Sequence, residues 1–297
     1  MDNQQAFDTV KDSTTLAGDL QFHTAGAHIT QWAPIAHGQV LFLSSRSNYG
    51  VGTAIRGGIP LCFPWFAGGI SGAQKPSHGF ARITNWRHIK SDELADGEQI
   101  EALELTNTDI AKQIADAGNG SEPAVAKQPF RATLMMHLRT NQLEVSLTVE
   151  NIGTFPYIFE EALHTYFLVG DIHGVSITGL EDACYRDKAD DAPSGLQPAA
   201  GAALTFSGET DRIYDSHESV QIHDPELGRT ITVEKENSDN TVVWNPWSDK
   251  GAALKDLGPG EWERFVCVES ANIGESAVAL QPGESHTLTV RYTVAAR

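Results

Sequence analysis

The chain is short of basic residues, of cysteine and of any long apolar run. Lysine and arginine total 21 against 39 aspartates and glutamates, a formal charge of −18. A field of that sign repels nucleic acid and anionic membrane surfaces at long range. No stretch approaches the roughly 18 to 20 apolar residues needed to cross a bilayer. The start, Met1-Asp2-Asn3-Gln4-Gln5, lacks a basic region followed by an apolar one. The expectation is a cytoplasmic protein with neither a membrane nor a nucleic-acid partner. Cys62, Cys184 and Cys267 form no Cys-x-x-Cys pair and leave an odd count, which argues against a disulfide framework and a cysteine-based zinc site. His23, His28 and His37 have no spacing that suggests a metal centre. Phosphate-loop and dinucleotide fingerprints are missing too, so neither metal nor organic cofactor is expected.

What is present is period-2 alternation. Leu143, Val145, Leu147 and Val149 alternate with Glu144, Ser146, Thr148 and Glu150, and Leu288, Val290, Tyr292 and Val294 alternate with threonines and Arg291. Val220 to His223 and Arg229 to Glu234 repeat the pattern, each segment reading as a strand with one face in a core. Asn151-Ile152-Gly153, Asp224-Pro225, Gly258-Pro259-Gly260 and Pro282-Gly283 are turn signals between them. One helix is expected over Asp109–Ala117, stopped by Gly118-Asn119-Gly120, inside an excursion from the sheet spanning 107–128. The acidic run Asp92 to Glu104 reads as a solvated strand face and loop. With no internal repeat, no long linker and no βαβ rhythm, the sequence predicts one all-β domain over 1–297, a large antiparallel β-sandwich with a minor helical excursion.

Several residues stand out against this background. Arg56-Gly57-Gly58-Ile59-Pro60 and Ser77-His78-Gly79-Phe80-Ala81-Arg82 set two guanidiniums and an imidazole into turn-forming backbone, which suits an anion such as phosphate. Two tight turns with arginines in surface ion pairs would read the same way. Because the Debye length is about 8 Å at physiological salt, a local basic pocket can overcome the net negative field. His164, in Leu163-His164-Thr165-Tyr166-Phe167, is shielded yet follows Glu160-Glu161; a hydrogen-bonded core histidine is the plain alternative. Glu269 ends the apolar run Phe265-Val266-Cys267-Val268, where a carboxylate is costly without a partner or a task. An ion-paired residue at a strand end would also account for it. Trp244-Asn245-Pro246-Trp247 offers two indoles at a turn, fit for a sugar face or for packing. Asp211, in Asp211-Arg212-Ile213-Tyr214, suits sugar hydroxyls or a surface pair with arginine.

Taken together these segments resemble the hexose-6-phosphate mutarotases, the phosphosugar branch of the aldose 1-epimerase (galactose mutarotase-like) superfamily. The resemblance begins at Gly26-Ala27-His28-Ile29-Thr30-Gln31-Trp32 and runs through Ala54 to Pro60, Phe63-Pro64-Trp65-Phe66 and His78 to Arg82. It continues in Glu161 to Phe167, Asp211 to Tyr214, Trp244 to Trp247 and Val268-Glu269-Ser270-Ala271-Asn272. It implies a sandwich around a sugar-binding cleft, no cofactor, and exchange of the α and β anomers of an aldohexose 6-phosphate such as glucose 6-phosphate. By the family's pattern His164 is the general acid, Glu269 the general base, and Arg56 and Arg82 hold phosphate, with His78 lining the pocket and Asp211 orienting hydroxyls. These roles predict a protonated His164 and an ionised Glu269 at rest. Alternatives are an epimerase for free aldoses, which would give two arginines no task, and a binding or sensing protein, which would not require both His164 and Glu269. A monomer is the expected state.

Overall fold

The computed structural model describes residues 9–94, 96–116, 128–189, 192–199 and 201–297. They form an all-β architecture dominated by two large antiparallel sheets. The nine-stranded sheet runs, in spatial order, Leu204–Thr205, Ser176–Thr178, Val220–Asp224, Arg229–Glu236, Ser285–Ala296, Gln142–Asn151, Phe130–Arg139, Gln99–Thr106 and Arg87–Glu93. The alternating segments read from sequence lie here. Leu143, Val145, Leu147, Val149, Leu288 and Val290 are fully buried, as period-2 patterning requires of a sheet with one core face. Their polar alternates pair across strands, Ser146 with Thr289 and Thr148 with Thr287, both at 2.9 Å.

The eight-stranded sheet runs Leu196–Pro198, Cys184–Asp187, Thr210–Asp215, Asn240–Asn245, Phe265–Asn272, Glu161–Leu163 and Leu61–Cys62, with Tyr166–Leu168 also paired to Phe265–Asn272. One hydrophobic cluster joins the two sheets: Leu163, Phe167, Val243, Val266 and Val268 pack in it with Leu147, Leu288, Val290 and Tyr292. Thr165 Oγ1 meets the Tyr292 hydroxyl at 2.7 Å across the same layer.

Phe265–Asn272 is buried along its whole length, on both faces. Val266 and Val268 enter the main core. The opposite face packs Phe265 and Cys267 with Phe42, Tyr166 and Leu257, and Ala271 with Cys62, Ala162 and Val242. Glu269 is therefore in mid-strand rather than at a strand end, a correction to the sequence reading. The strand continues past it because Ser270, Ala271 and Asn272 still pair with Leu163, Ala162 and Glu161.

Three other expectations change. The helix is found at Asn107–Asp116, anchored by buried Ile110; Ala117, the glycine stop and the rest of the excursion up to residue 127 lie outside the described residues. A second helix, Trp247–Ala253, occupies what reads as a plain turn. Asn245 Oδ1 accepts the Trp247 amide at 2.9 Å and starts it, a local cap that a Pro-Trp pair and an internal glycine disguise. Within the acidic run, Asp92 and Glu93 are exposed but Glu101 is buried, bonded to His88, Ser91 and Gln99. Strand pleating turns it inward, where neighbouring polar side chains replace water. No helix among the described residues is long and apolar enough to cross a membrane.

Candidate active site

The ladder register decides which side chains meet. Asp211 pairs with Trp244, Trp244 with Cys267, and Cys267 with Tyr166, so these four residues share one row. In the next row Glu269 opposes Val242, which opposes Ile213. His164 stands where Glu161–Leu163 gives way to Tyr166–Leu168, its own amide donating to Pro60 O at 2.9 Å. Leu163, Thr165 and Phe167 point into the core, so His164 and Tyr166 face the other way, beside Glu269.

His164 Nε2 lies 3.4 Å from Glu269 Oε1, with both residues buried. The imidazole stacks on Tyr166 at 5.0 Å between centroids and meets Trp244 and His78 edge-on at 6.0 and 5.6 Å. Among the described residues, Glu269 Oε2, His164 Nδ1 and Arg82 Nε are buried without a hydrogen-bond partner. Three such orphans in one cluster are expensive unless something outside the chain satisfies them.

Two glycine-bearing turns bring the basic residues in. Gly58 has φ +63°, and a Cβ there would sit 2.1 Å from Ile29 O; Gly79 has φ +73°, and its Cβ would sit 2.1 Å from Phe63 O. Only glycine allows these close backbone approaches, which draw the Arg56 and His78 segments onto the sheet. Arg56 donates to both carboxylate oxygens of Asp256 at 3.0–3.2 Å and to the Tyr166 hydroxyl at 2.9 Å. Burial alone would lower its pKa, but Tyr166 and Asp256 outweigh burial and raise it. Arg82 lies in the turn Ala81–Ile83 and spends one nitrogen on Ser77 O at 2.9 Å. His78 Nδ1 lies 3.1 Å from Cys62 Sγ and accepts the Ala67 amide at 3.3 Å.

The electrostatics run against the resting protonation expected from sequence. Burial, then His78 and the two arginines, push His164 well below its usual pKa. Burial and the charge of Asp211 push Glu269 well up, with Arg82 opposing. The neutral form of the pair, imidazole beside carboxylic acid, is thus favoured at rest over imidazolium beside carboxylate. Both forms hold the same number of protons, so the correction moves one proton across the pair; desolvation favours uncharged partners. Burial followed by Arg82 and Arg56 lowers His78 to about 3. Burial, then Glu209, raises Asp211 to about 6.

All six residues singled out from sequence therefore gather on one face of the sheet. His164 and Glu269 touch; His78 packs against His164; Arg56 reaches Tyr166; the charges of Arg82 and Asp211 act on Glu269. Arg56 differs from expectation in being already engaged by Asp256, 200 residues away, a pairing no local pattern announces. Cys62, Cys267 and Tyr166 were missed as site residues. The cysteines were weighed for pairing with each other, and only their alternation into the Glu269 face could have flagged them. His164, Cys267 and Glu269 each place one metal-ligating atom within 4.8 Å of the others.

Residues 9–293 match the family model described as aldose 1-epimerase. A protein of Escherichia coli (strain K12) named "Putative glucose-6-phosphate 1-epimerase" is 34% identical over 266 residues, covering 89% of this chain and 83% of its own. One of the same name from Cenchrus ciliaris is 33% identical, covering 89% and 78%. The crystal structure of a "putative mutarotase" from Salmonella typhimurium superposes with a TM-score of 0.81 at 30% identity, covering 98% of this chain and 90% of that one.

Proposed function

The chain belongs to the aldose 1-epimerase family, and we propose that it interconverts the α and β anomers of an aldohexose 6-phosphate, glucose 6-phosphate first among them. The observation that carries this reading is the buried His164–Glu269 contact at 3.4 Å, flanked by two arginines. Anomer exchange needs the C1 hydroxyl proton removed while the ring oxygen gains one. The ring then opens to the aldehyde, rotation about C1–C2 presents the other face, and reclosure reverses both transfers. One base and one acid within reach of O1 and O5 suffice, each worth about 10²- to 10⁴-fold.

Glu269 is the base and His164 the acid. The bound sugar supplies what the orphaned atoms lack: an O–H donor for the carboxylate and a ring-oxygen acceptor for the imidazole. These bonds favour the ionic tautomer, so one proton passes from Glu269 to His164 as the substrate settles. Asp211 orients hydroxyls beside the Trp244 indole. Arg82, with its unpartnered Nε, is the direct phosphate contact. Arg56, held by Asp256, adds positive potential and, through the Tyr166 hydroxyl, fixes the ring on which His164 is stacked.

One observation favours a second reading, an epimerase for free aldoses. The Arg56 guanidinium is already engaged by a carboxylate, which leaves Arg82, bonded through one nitrogen to Ser77 O, as the one arginine of the pair for a phosphate. Anomer exchange at equilibrium, followed by NMR on glucose 6-phosphate with glucose and galactose alongside, separates the two. Acceleration of the phosphosugar alone supports the phosphosugar reading. Equal or greater acceleration of the free sugars would transfer the reaction to them, and no acceleration from folded protein would discard catalysis.

A further inference from the structure

We propose that His164 Nε2, Cys267 Sγ and a Glu269 carboxylate oxygen also form a capture site for a borderline-soft divalent cation of the zinc type, and that its occupancy switches off anomer exchange. The first half stands on geometry alone; the second rests on the acid/base reading above.

The three ligand atoms lie within 4.8 Å of one another, and one pair is already at 3.4 Å. A point equidistant from three atoms spaced at that limit is about 2.8 Å from each, about 0.5 Å outside zinc's bond to sulfur and about 0.6–0.8 Å outside those to nitrogen and oxygen. Rotamer adjustment covers that gap. A second observation points the same way: Glu269, 1% exposed, keeps Oε2 without a hydrogen-bond partner among the described residues. The N/S/O set selects the cation, because thiolate and imidazole suit zinc or cobalt while magnesium and calcium prefer oxygen ligands alone.

Arg56 and Arg82 oppose a bare cation, since both act on His164. Charge balance removes the conflict. The metal replaces the thiol proton of Cys267 and the proton of Glu269, which leave to solvent, so thiolate and carboxylate together neutralise the dication. No net charge is added beside the arginines. The fourth position of a tetrahedral ion falls to water or to a sugar hydroxyl. His164 Nδ1 has no partner among the described residues, whereas a resident metal's histidine almost always donates its second nitrogen to an acceptor. That gap makes the site reversible rather than structural. No sequence spacing announces it, because His164 stands between two short strands that pair with the distant strand carrying the other two ligands.

Cobalt(II) added to metal-free full-length protein tests this, because a thiolate bound to cobalt gives an intense near-ultraviolet band. The band should rise to one equivalent, collapse when zinc is added, survive Cys184→Ser at the exposed cysteine, and vanish in Cys267→Ser. Absence of the band, or its loss with Cys184 rather than Cys267, overturns the proposal. Should Cys267→Ser not fold, X-ray absorption on the zinc-loaded wild type decides: one sulfur neighbour supports the site, and nitrogen and oxygen alone overturn it. Zinc at one equivalent should reduce anomer exchange at least tenfold, with a chelator restoring it; full activity in the metal-loaded protein overturns the switch. A band in a protein that exchanges no anomers keeps the metal site and rejects the enzymatic reading.

Discussion

The strands Gln142–Asn151 and Phe265–Asn272 are both central to their sheets, yet they treat polar residues in opposite ways. In the first, every second residue is apolar and inward, while its hydroxyls and charges find partners across the sheet: Ser146 with Thr289, Thr148 with Thr287, Glu144 with Arg291. In the second, both faces are buried, and Glu269 lies against His164 with its other oxygen unsatisfied among the described residues. Buried polar groups are ordinarily paired, so an unpaired one has been kept against its cost to stability. The first strand holds the fold, and the second carries the candidate site on top of it.

Exchanging the two roles by mutation should break this contrast. Glu269→Gln is expected to lower kcat for anomer exchange by about 10²- to 10⁴-fold while leaving the unfolding temperature unchanged or higher, since it removes a strained carboxyl. Wild-type turnover would end its assignment as base. Leu147→Ala in the other strand should do the reverse. Emptying that fully buried position costs about 2–5 kcal/mol, read by urea unfolding, with kcat per folded molecule retained. A matching loss of turnover would mean that the two sheets are not separable in role.

Smaller effects sharpen the comparison. Arg82→Ala should raise KM for glucose 6-phosphate at least tenfold more than for glucose, and equal shifts would take the phosphate from Arg82. The pH dependence of stability is the mildest test. His78 is held at about 3 against an ordinary 6.5 by burial and the two arginines. Between those values the unfolded chain binds a proton that the folded protein refuses, so stability is full above 6.5 and declines as pH falls toward 3. Each such proton contributes a slope of about 1.4 kcal/mol per pH unit. His78→Asn should flatten the fall by one proton, as read from unfolding temperature against pH; an unchanged slope would show that His78 is protonated in the folded state.

Legibility follows the same division. Leu143 to Val149 and Leu288 to Val294 announce their strands because one face meets oil and the other meets polar neighbours. Phe265 to Asn272 conceals its length, because burial on both faces erases alternation. Glu101 is hidden in an acidic run whose members Asp92, Glu93 and Asp96 do face solvent, and helix Trp247–Ala253 is hidden by its short length and cap. His164, Glu269, Arg56, Arg82, His78 and Asp211 are recognisable as a set through resemblance, whereas Asp256 carries no local mark and Cys267 only its two-residue offset from Glu269.

The sequence by itself determined the β class, the inward faces of the nine-stranded sheet and the identities of the groups able to move protons. These follow from side-chain period and from which residue types titrate, both local properties. Only the tertiary structure decided that Glu269 meets His164 at 3.4 Å, that Asp256 takes Arg56, and that burial pushes the His164 pKa down and that of Glu269 up. Register and desolvation are set by strands distant along the chain, and no window of sequence contains them.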